Sequence, residues 1–184
     1  MLFSNKHEKL SEILDRTIGW TANCDGKAST VLASVGVIAG VLLATDYVKK
    51  LVAIYRFMLD VLNFWSALYL IACTVAIGTI VVGCLYLIGV LKARIGRKDY
   101  AARGVRGGSL IFFASIAKCK TLDAYKTKLE NCSDEQLEDD MISQIYICSV
   151  ICQKKFDLYK KGLTCSLVGF STFAILTIIG VIVA

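Results

Sequence analysis

The chain has 184 residues, a formal net charge of +6, 56% hydrophobic residues and a mean hydropathy of +0.62, which together exclude an ordinary soluble domain. It contains no proline, the residue that most often breaks helices. None of its eight cysteines falls in the segment that we place outside the cell, so buried thiols in a reducing cytoplasm are expected rather than a disulfide scaffold. We therefore predict an all-α integral membrane protein.

The N-terminal segment, residues 1–27, has apolar side chains at helical spacing. They are Leu10, Ile13, Leu14, Thr17 and Ile18. An uncharged stretch follows at 28–45, which as a helix would cover about 27 Å, enough for a slightly thin membrane. We predict a cytoplasmic amphipathic helix over 1–27 and the first transmembrane helix over 28–46.

The next segment, residues 47–65, is amphipathic again and carries charges beside its apolar stripe. The stripe consists of Val48, Leu51, Val52, Tyr55, Met58 and Leu59. This pattern favours an external hairpin with a helix lying on the membrane surface. The uncharged run that follows is longer than one span needs, and its aromatic beginning is typical of an interface. We therefore predict the second transmembrane helix over 66–91.

Residues 92–161 begin with a basic stretch that ends at Gly107-Gly108, continue as an apolar segment, and then form a short helix near 121–130. Ser133 is a good N-cap, because Gln136 three residues later completes a capping box. The helix that begins there meets no proline up to residue 184, so it would be roughly 75 Å long. We predict a small cytoplasmic helical sensor over 92–161, inserted between the second and third spans.

The third predicted transmembrane helix covers residues 162–184 and continues the long helix without a break. Gly162 is the first glycine of that helix and lies where it meets the membrane. A bend at a glycine in a helix costs only about 1 kcal/mol. Gly162 is therefore a candidate hinge.

The basic residues give the orientation. Four precede the first span, three lie between the first two spans, and fourteen lie from Lys92 to Lys161. With three spans, the first and third groups lie on the same side, which gives eighteen basic residues on one side and three on the other. Because basic residues are enriched on the cytoplasmic side, the N-terminus and the large loop are predicted to be cytoplasmic. These residues flank spans and lack interleaved aromatics, so we predict no nucleic-acid binding.

Catalytic residue patterns are missing from the sequence. The chain has one histidine, His7, and no glycine-rich phosphate loop after a strand. The run Glu138-Asp139-Asp140 could bind a metal, but at a helix start it is more often a solvated face stabilised by the dipole. Cys148 and Cys152 lack two further zinc ligands. We predict no enzyme, no metal site and no cofactor.

The mouth of the first span combines an amide, a carboxylate and an ammonium group at Asn23, Asp25 and Lys27. One interpretation is a flanking cap with a snorkelling lysine. Another is that Asp25 and Lys27 hold a resting state by pairing with each other or with a neighbouring subunit. With Ala28, these residues resemble the Asn-x-Asp-x-Lys-Ala sequence before the first span of the transmembrane effectors of Pycsar antiphage defence.

Two further stretches are similar to the same family. They are residues 109–116, an apolar and aromatic segment, and residues 140–149, which lead on to Lys155-Phe156. The resemblance implies a multi-pass protein of the bacterial inner membrane, whose functional partner is a pyrimidine nucleotide cyclase. Cyclic UMP or cyclic CMP made during phage infection would activate the effector, which then impairs the membrane and aborts infection.

A cyclic mononucleotide carries one phosphate charge and a flat base, so its site needs a cation or amide donors and an aromatic or amide edge. The predicted sensor offers Arg94, Arg97, Arg103, Arg106, Phe112, Phe113, Gln144 and Tyr146. For each aromatic side chain, a place in the core is an equal alternative. These residues are the candidates for signal binding.

A constitutive oligomeric channel or structural membrane protein, not gated by nucleotide, is the alternative function. Ser34, Gly36 and Gly40, together with Gly78 and Gly83, are small residues of the kind found where transmembrane helices pack. Both hypotheses expect a homo-oligomer in the lipid bilayer, because three thin helices cannot enclose a path alone.

Overall fold

The computed structural model describes residues 2–44, 46–92 and 108–183, and all regular secondary structure within them is helical. The helices are α1 (Leu2–Ala44), α2 (Tyr47–Asp60), α3 (Phe64–Lys92), α4 (Phe113–Ile116), α5 (Leu122–Glu130) and α6 (Asp134–Val183). By length and composition, α1, α3 and α6 can each cross a membrane. The predicted all-α fold is confirmed for the described residues, which include three helices long and apolar enough to cross a membrane. The predicted boundary between residues 27 and 28 falls inside α1.

Local capping fixes where two of the helices begin. The Gln136 backbone amide donates to Ser133 Oγ and the Ser133 amide donates to Gln136 Oε1, both at 3.2 Å. The capping box predicted for α6 is therefore confirmed. At the start of α5, Thr121 Oγ1 accepts from the Ala124 amide at 3.2 Å. Both contacts satisfy amides of the first turn that have no partner inside the helix.

The described chain divides into two compact units. Residues 2–24 and 108–154 form what we call the polar unit, and residues 25–44, 46–92 and 155–183 form the membrane unit. α1 and α6 each contribute residues to both units.

The membrane unit contains an antiparallel seam between α3 and α6 that depends on glycine. A Cβ on Gly169 would lie only 2.9 Å from the Ile80 backbone nitrogen and 3.1 Å from the Ala76 carbonyl oxygen. A Cβ on Gly83 would lie 2.7 Å from the Ser166 backbone nitrogen. Both backbones approach too closely to admit a side chain, as in other transmembrane helix pairs that pack through small residues.

The end of α6 is also bonded to α2 and α3. The Tyr69 hydroxyl donates to the Leu176 carbonyl oxygen at 2.9 Å, and the Tyr47 hydroxyl donates to Thr177 Oγ1 at 3.1 Å. α2 buries Ile54 and Met58. Met58 belongs to the apolar stripe predicted for this helix, whereas Ile54 does not.

Candidate functional sites

An ion pair joins α1 to α6 in the membrane unit. Lys155 Nζ lies 2.6 Å from both carboxylate oxygens of Asp25. The lysine side chain is 9% exposed and the aspartate side chain 36% exposed. Ala28, one turn along α1 from Asp25, is fully buried. A charge-assisted contact of this geometry fixes which faces of the two helices meet.

The pairing of Asp25 with Lys27 that was one of our hypotheses is not formed. Side chains two residues apart on a helix point to nearly opposite sides of it. Lys27, like Asn23, is exposed. The partner of Asp25 is Lys155, which the candidate residues did not include. A signal was present in the sequence, because Lys155 interrupts the apolar stripe that α6 continues through Cys152 and Phe156.

Two of the three residues in the acidic run near the start of α6, Glu138 and Asp140, are held by contacts within the protein. Glu138 is 8% exposed and forms an ion pair with Lys6, and its Oε1 lies 3.5 Å from His7 Nε2. Asp140 Oδ2 accepts from Ser109 Oγ at 2.9 Å and from the Leu110 amide at 2.7 Å.

Only Asp139 is exposed, so the predicted solvated face is wrong for its two neighbours. The cause is tertiary, because their partners come from α1 and from the segment before α4. In the described ranges, no group of three or more histidine, cysteine or carboxylate side chains is arranged to hold a metal ion.

The predicted signal-binding residues are not brought into one place by what the structure describes. Arg94, Arg97, Arg103 and Arg106 lie outside the described residues. Phe112 and Phe113 are exposed, with ring centroids 4.7 Å apart.

The remaining candidates lie on α6. Gln144 is buried and Tyr146 is 46% exposed. Gly162 is buried, and a Cβ there would lie 2.8 Å from Leu87 Cγ and 3.0 Å from the Gly83 carbonyl oxygen. The hinge candidate thus occupies a close contact between α6 and α3.

Two small cavities of the polar unit share one wall, formed by residues 108–110. The acidic cavity, of about 170 Å³, is lined also by Gln136, Asp139, Asp140 and Ser143. The basic cavity, of about 140 Å³, is lined also by Ser115, Lys118, Tyr125 and Lys128. Sequence reasoning missed both lysines, because they lie ten residues apart and no local motif joins them.

Three apolar helices of membrane-spanning length and a polar unit with small cavities define a small multi-pass integral membrane protein. The chain matches, over residues 9–183, the family model described as Pycsar effector protein domain. It belongs to this family, as its resemblance at the first span predicted. The family is one of non-enzymatic effectors of antiphage defence.

The chain is also similar to the Pycsar effector protein GmPycTM of Gulbenkiania mobilis. The two are 28% identical over 177 residues, which cover 92% of this chain and 90% of the relative. No solved structure gives a significant match.

Proposed function

We propose that the protein is an effector of the bacterial inner membrane that cyclic UMP or cyclic CMP activates, and that the activated protein impairs the membrane and aborts phage infection. A pyrimidine nucleotide cyclase would supply the signal. Membership of the Pycsar effector family supports this role. The observation that carries it is α6, one uninterrupted helix that contributes to both the polar unit and the membrane unit.

The polar unit is the sensor in this proposal, and the Asp25–Lys155 pair holds the resting state. A lysine that is 9% exposed is costly to leave without its partner, so a movement of α6 that separates the pair needs an energy source. Ligand binding supplies it only through a difference in affinity between the two states. The resting and active states should therefore differ by only a few kcal/mol.

Gly162 is where we place the bend of α6 during activation. Its contact with Leu87 and the Gly83 carbonyl oxygen means that a bend there also changes the seam with α3. The movement would then reach two spans rather than one. Assembly into a homo-oligomer would complete the path through the bilayer.

Leakage from reconstituted liposomes tests the gating. Release of an enclosed dye should require cyclic UMP or cyclic CMP, and Gly162→Pro should retain nucleotide binding while losing nucleotide-dependent release. Cyclic AMP serves as the matched ligand control, because it has the same phosphate and a different base. Full leakage without nucleotide would replace this proposal with the constitutive channel.

The orientation requires its own test. We propose that the N-terminus and residues 92–161 are cytoplasmic, because eighteen of 21 basic residues would then lie inside. Reporter fusions or cysteine labelling in intact cells should place Lys6 and Asp123 inside and Tyr47–Asp60 outside. Labelling of Asp123→Cys by a membrane-impermeant reagent from outside would contradict the three-span arrangement.

A further inference from the structure

The two cavities of the polar unit differ in charge although they share a wall. Asp139 and Asp140 line the acidic cavity, and no lysine or arginine is among the described residues that line it. Lys118 and Lys128 line the basic cavity, whose described lining includes no carboxylate. An anion would therefore be repelled on one side of residues 108–110 and attracted on the other.

The shared wall is held on both faces by side-chain hydrogen bonds. The Leu110 amide donates to Asp140 at 2.7 Å, and the Leu110 carbonyl oxygen accepts from the Tyr125 hydroxyl at 3.0 Å. Asp140 also accepts from the Ser109 hydroxyl. Because both backbone polar groups of Leu110, its N–H and its C=O, are bonded to side chains, the wall of the basic cavity is preorganised before a ligand arrives.

The two lysines remain available to a ligand. Neither Lys118 nor Lys128 forms a salt bridge among the described residues, and the contact of Lys128 Nζ with Cys119 Sγ at 3.6 Å is weak. Ser115 adds a hydroxyl to the lining. Two ammonium groups and a hydroxyl make a donor set for phosphate oxygens.

We infer that the basic cavity binds the phosphodiester of the activating cyclic mononucleotide, with Lys118 and Lys128 as its cations. The inference rests on the proposed function and deepens it by assigning the site. At about 140 Å³ the cavity is smaller than the roughly 300–1,000 Å³ of sites that enclose whole ligands, so it takes the phosphate end and leaves the base at the rim.

Calorimetry on the full chain in a maltoside detergent without phospholipid tests this assignment, with cyclic UMP and cyclic CMP as probes. Lys118→Ala/Lys128→Ala should weaken binding by about a hundredfold or more, since each lost bond to a charged group accounts for about a tenfold to hundredfold change. The matched control is Lys120→Ala/Lys126→Ala. These two lysines are exposed on the same segment and do not line the cavity. The control removes the same charge and should change affinity by no more than about threefold.

A second variant keeps the lysines and tests the same cavity. Ser115→Asp places a negative charge in the lining and should weaken binding at least as much as the double lysine variant. Phosphatidylglycerol added to the micelles tests the other source of a phosphate group. If Lys118→Ala/Lys128→Ala loses binding of this lipid but keeps the nucleotide affinity of the wild type, the cavity takes a lipid headgroup and the inference is overturned.

The two failures can be told apart. If the wild-type chain binds neither cyclic pyrimidine nucleotide, both the proposed function and this site are wrong. The site is wrong and the proposed function stands if the wild-type chain binds nucleotide and Lys118→Ala/Lys128→Ala binds it as tightly as the Lys120→Ala/Lys126→Ala control. The same holds if Ser115→Asp binds nucleotide as tightly as the wild type.

Discussion

The seam between α3 and α6 and the apolar half of α1 are both apolar enough to cross a membrane, but only the seam is packed. In the most apolar stretches of α3 and α6, 22% of residues are buried, against 6% in α1. A Cβ on a glycine of the seam would lie within about 3 Å of backbone atoms, whereas no atom of the described residues lies within 4 Å of a Cβ on Gly36 or Gly40. Apolar composition thus determines that a helix can enter a bilayer, and small residues at matched positions determine which helices pack.

The contrast also shows how α1 is attached. In the membrane unit the Asp25–Lys155 pair joins α1 to α6, and several apolar residues further along α1 are exposed, among them Val37, Val41 and Leu43. The ion pair is one local contact, whereas the glycine seam makes close contacts over several turns of α3 and α6. We therefore expect the proposed movement of α6 to separate it from α1 more readily than from α3.

A bulky side chain in the seam should have the largest effect. Gly169→Leu would place its Cβ within 3.1 Å of backbone atoms of Ile80 and Ala76, which cannot rotate away, and overpacking of this kind costs about 1–3 kcal/mol or more. We expect much lower yield from membranes and a lower unfolding temperature in detergent.

The matched control for the seam is Gly78→Leu. Gly78 lies on α3, and no atom of the described residues lies within 4 Å of where its Cβ would be. This variant should therefore resemble the wild type. Equal behaviour of the two variants would contradict the close approach of α3 and α6.

Breaking the ion pair should have a smaller effect that depends on which partner is removed. Asp25→Ala leaves Lys155 charged and 9% exposed, which should cost about 1–2 kcal/mol, less than the loss of a fully buried pair because Asp25 is itself 36% exposed. Lys155→Ala leaves an aspartate that is 36% exposed and partly hydrated, so it should cost less. Thermal unfolding in detergent measures both, and we expect Asp25→Ala to increase leakage without nucleotide.

Lys27→Ala is the control for the pair, because Lys27 is exposed two residues from Asp25 and is not its partner. It should behave like the wild type. The exchange Asp25→Lys/Lys155→Asp should recover part of the lost stability. If Lys27→Ala is as damaging as Asp25→Ala, the charge at the mouth of the span matters rather than the pair.

Helices and their beginnings were predictable because their causes are local. The capping box of Ser133 and Gln136 needs atoms three residues apart, and the short helix near 121–130 needs one N-cap at Thr121. The three spans follow from uncharged stretches of sufficient length. Each of these features depends on residues that are close in the chain. Sequence periodicity and composition therefore predict them directly.

Polar residues were harder to place. The sequence of α6 predicted that apolar side chains form its buried face. Three polar residues, Glu138, Gln144 and Lys155, are nevertheless among the most buried residues of this helix. Glu138 and Lys155 are buried because Lys6, His7 and Asp25 face them, and these partners are about 130 residues away in the chain. No local pattern can indicate a contact over such a separation.

The sequence alone determined that this protein is helical and that three of its helices are long and apolar enough to cross a membrane, because helix propensity, capping and hydropathy act over a few residues at a time. It also determined the family, because the resemblance is carried by short stretches such as residues 23–28. The tertiary structure alone decided that Asp25 pairs with Lys155, that Gly83 and Gly169 serve a seam, and that Lys118 and Lys128 line one cavity. These pairings bring together groups from distant parts of the chain, and their free energy depends on distances that exist only after the helices have packed.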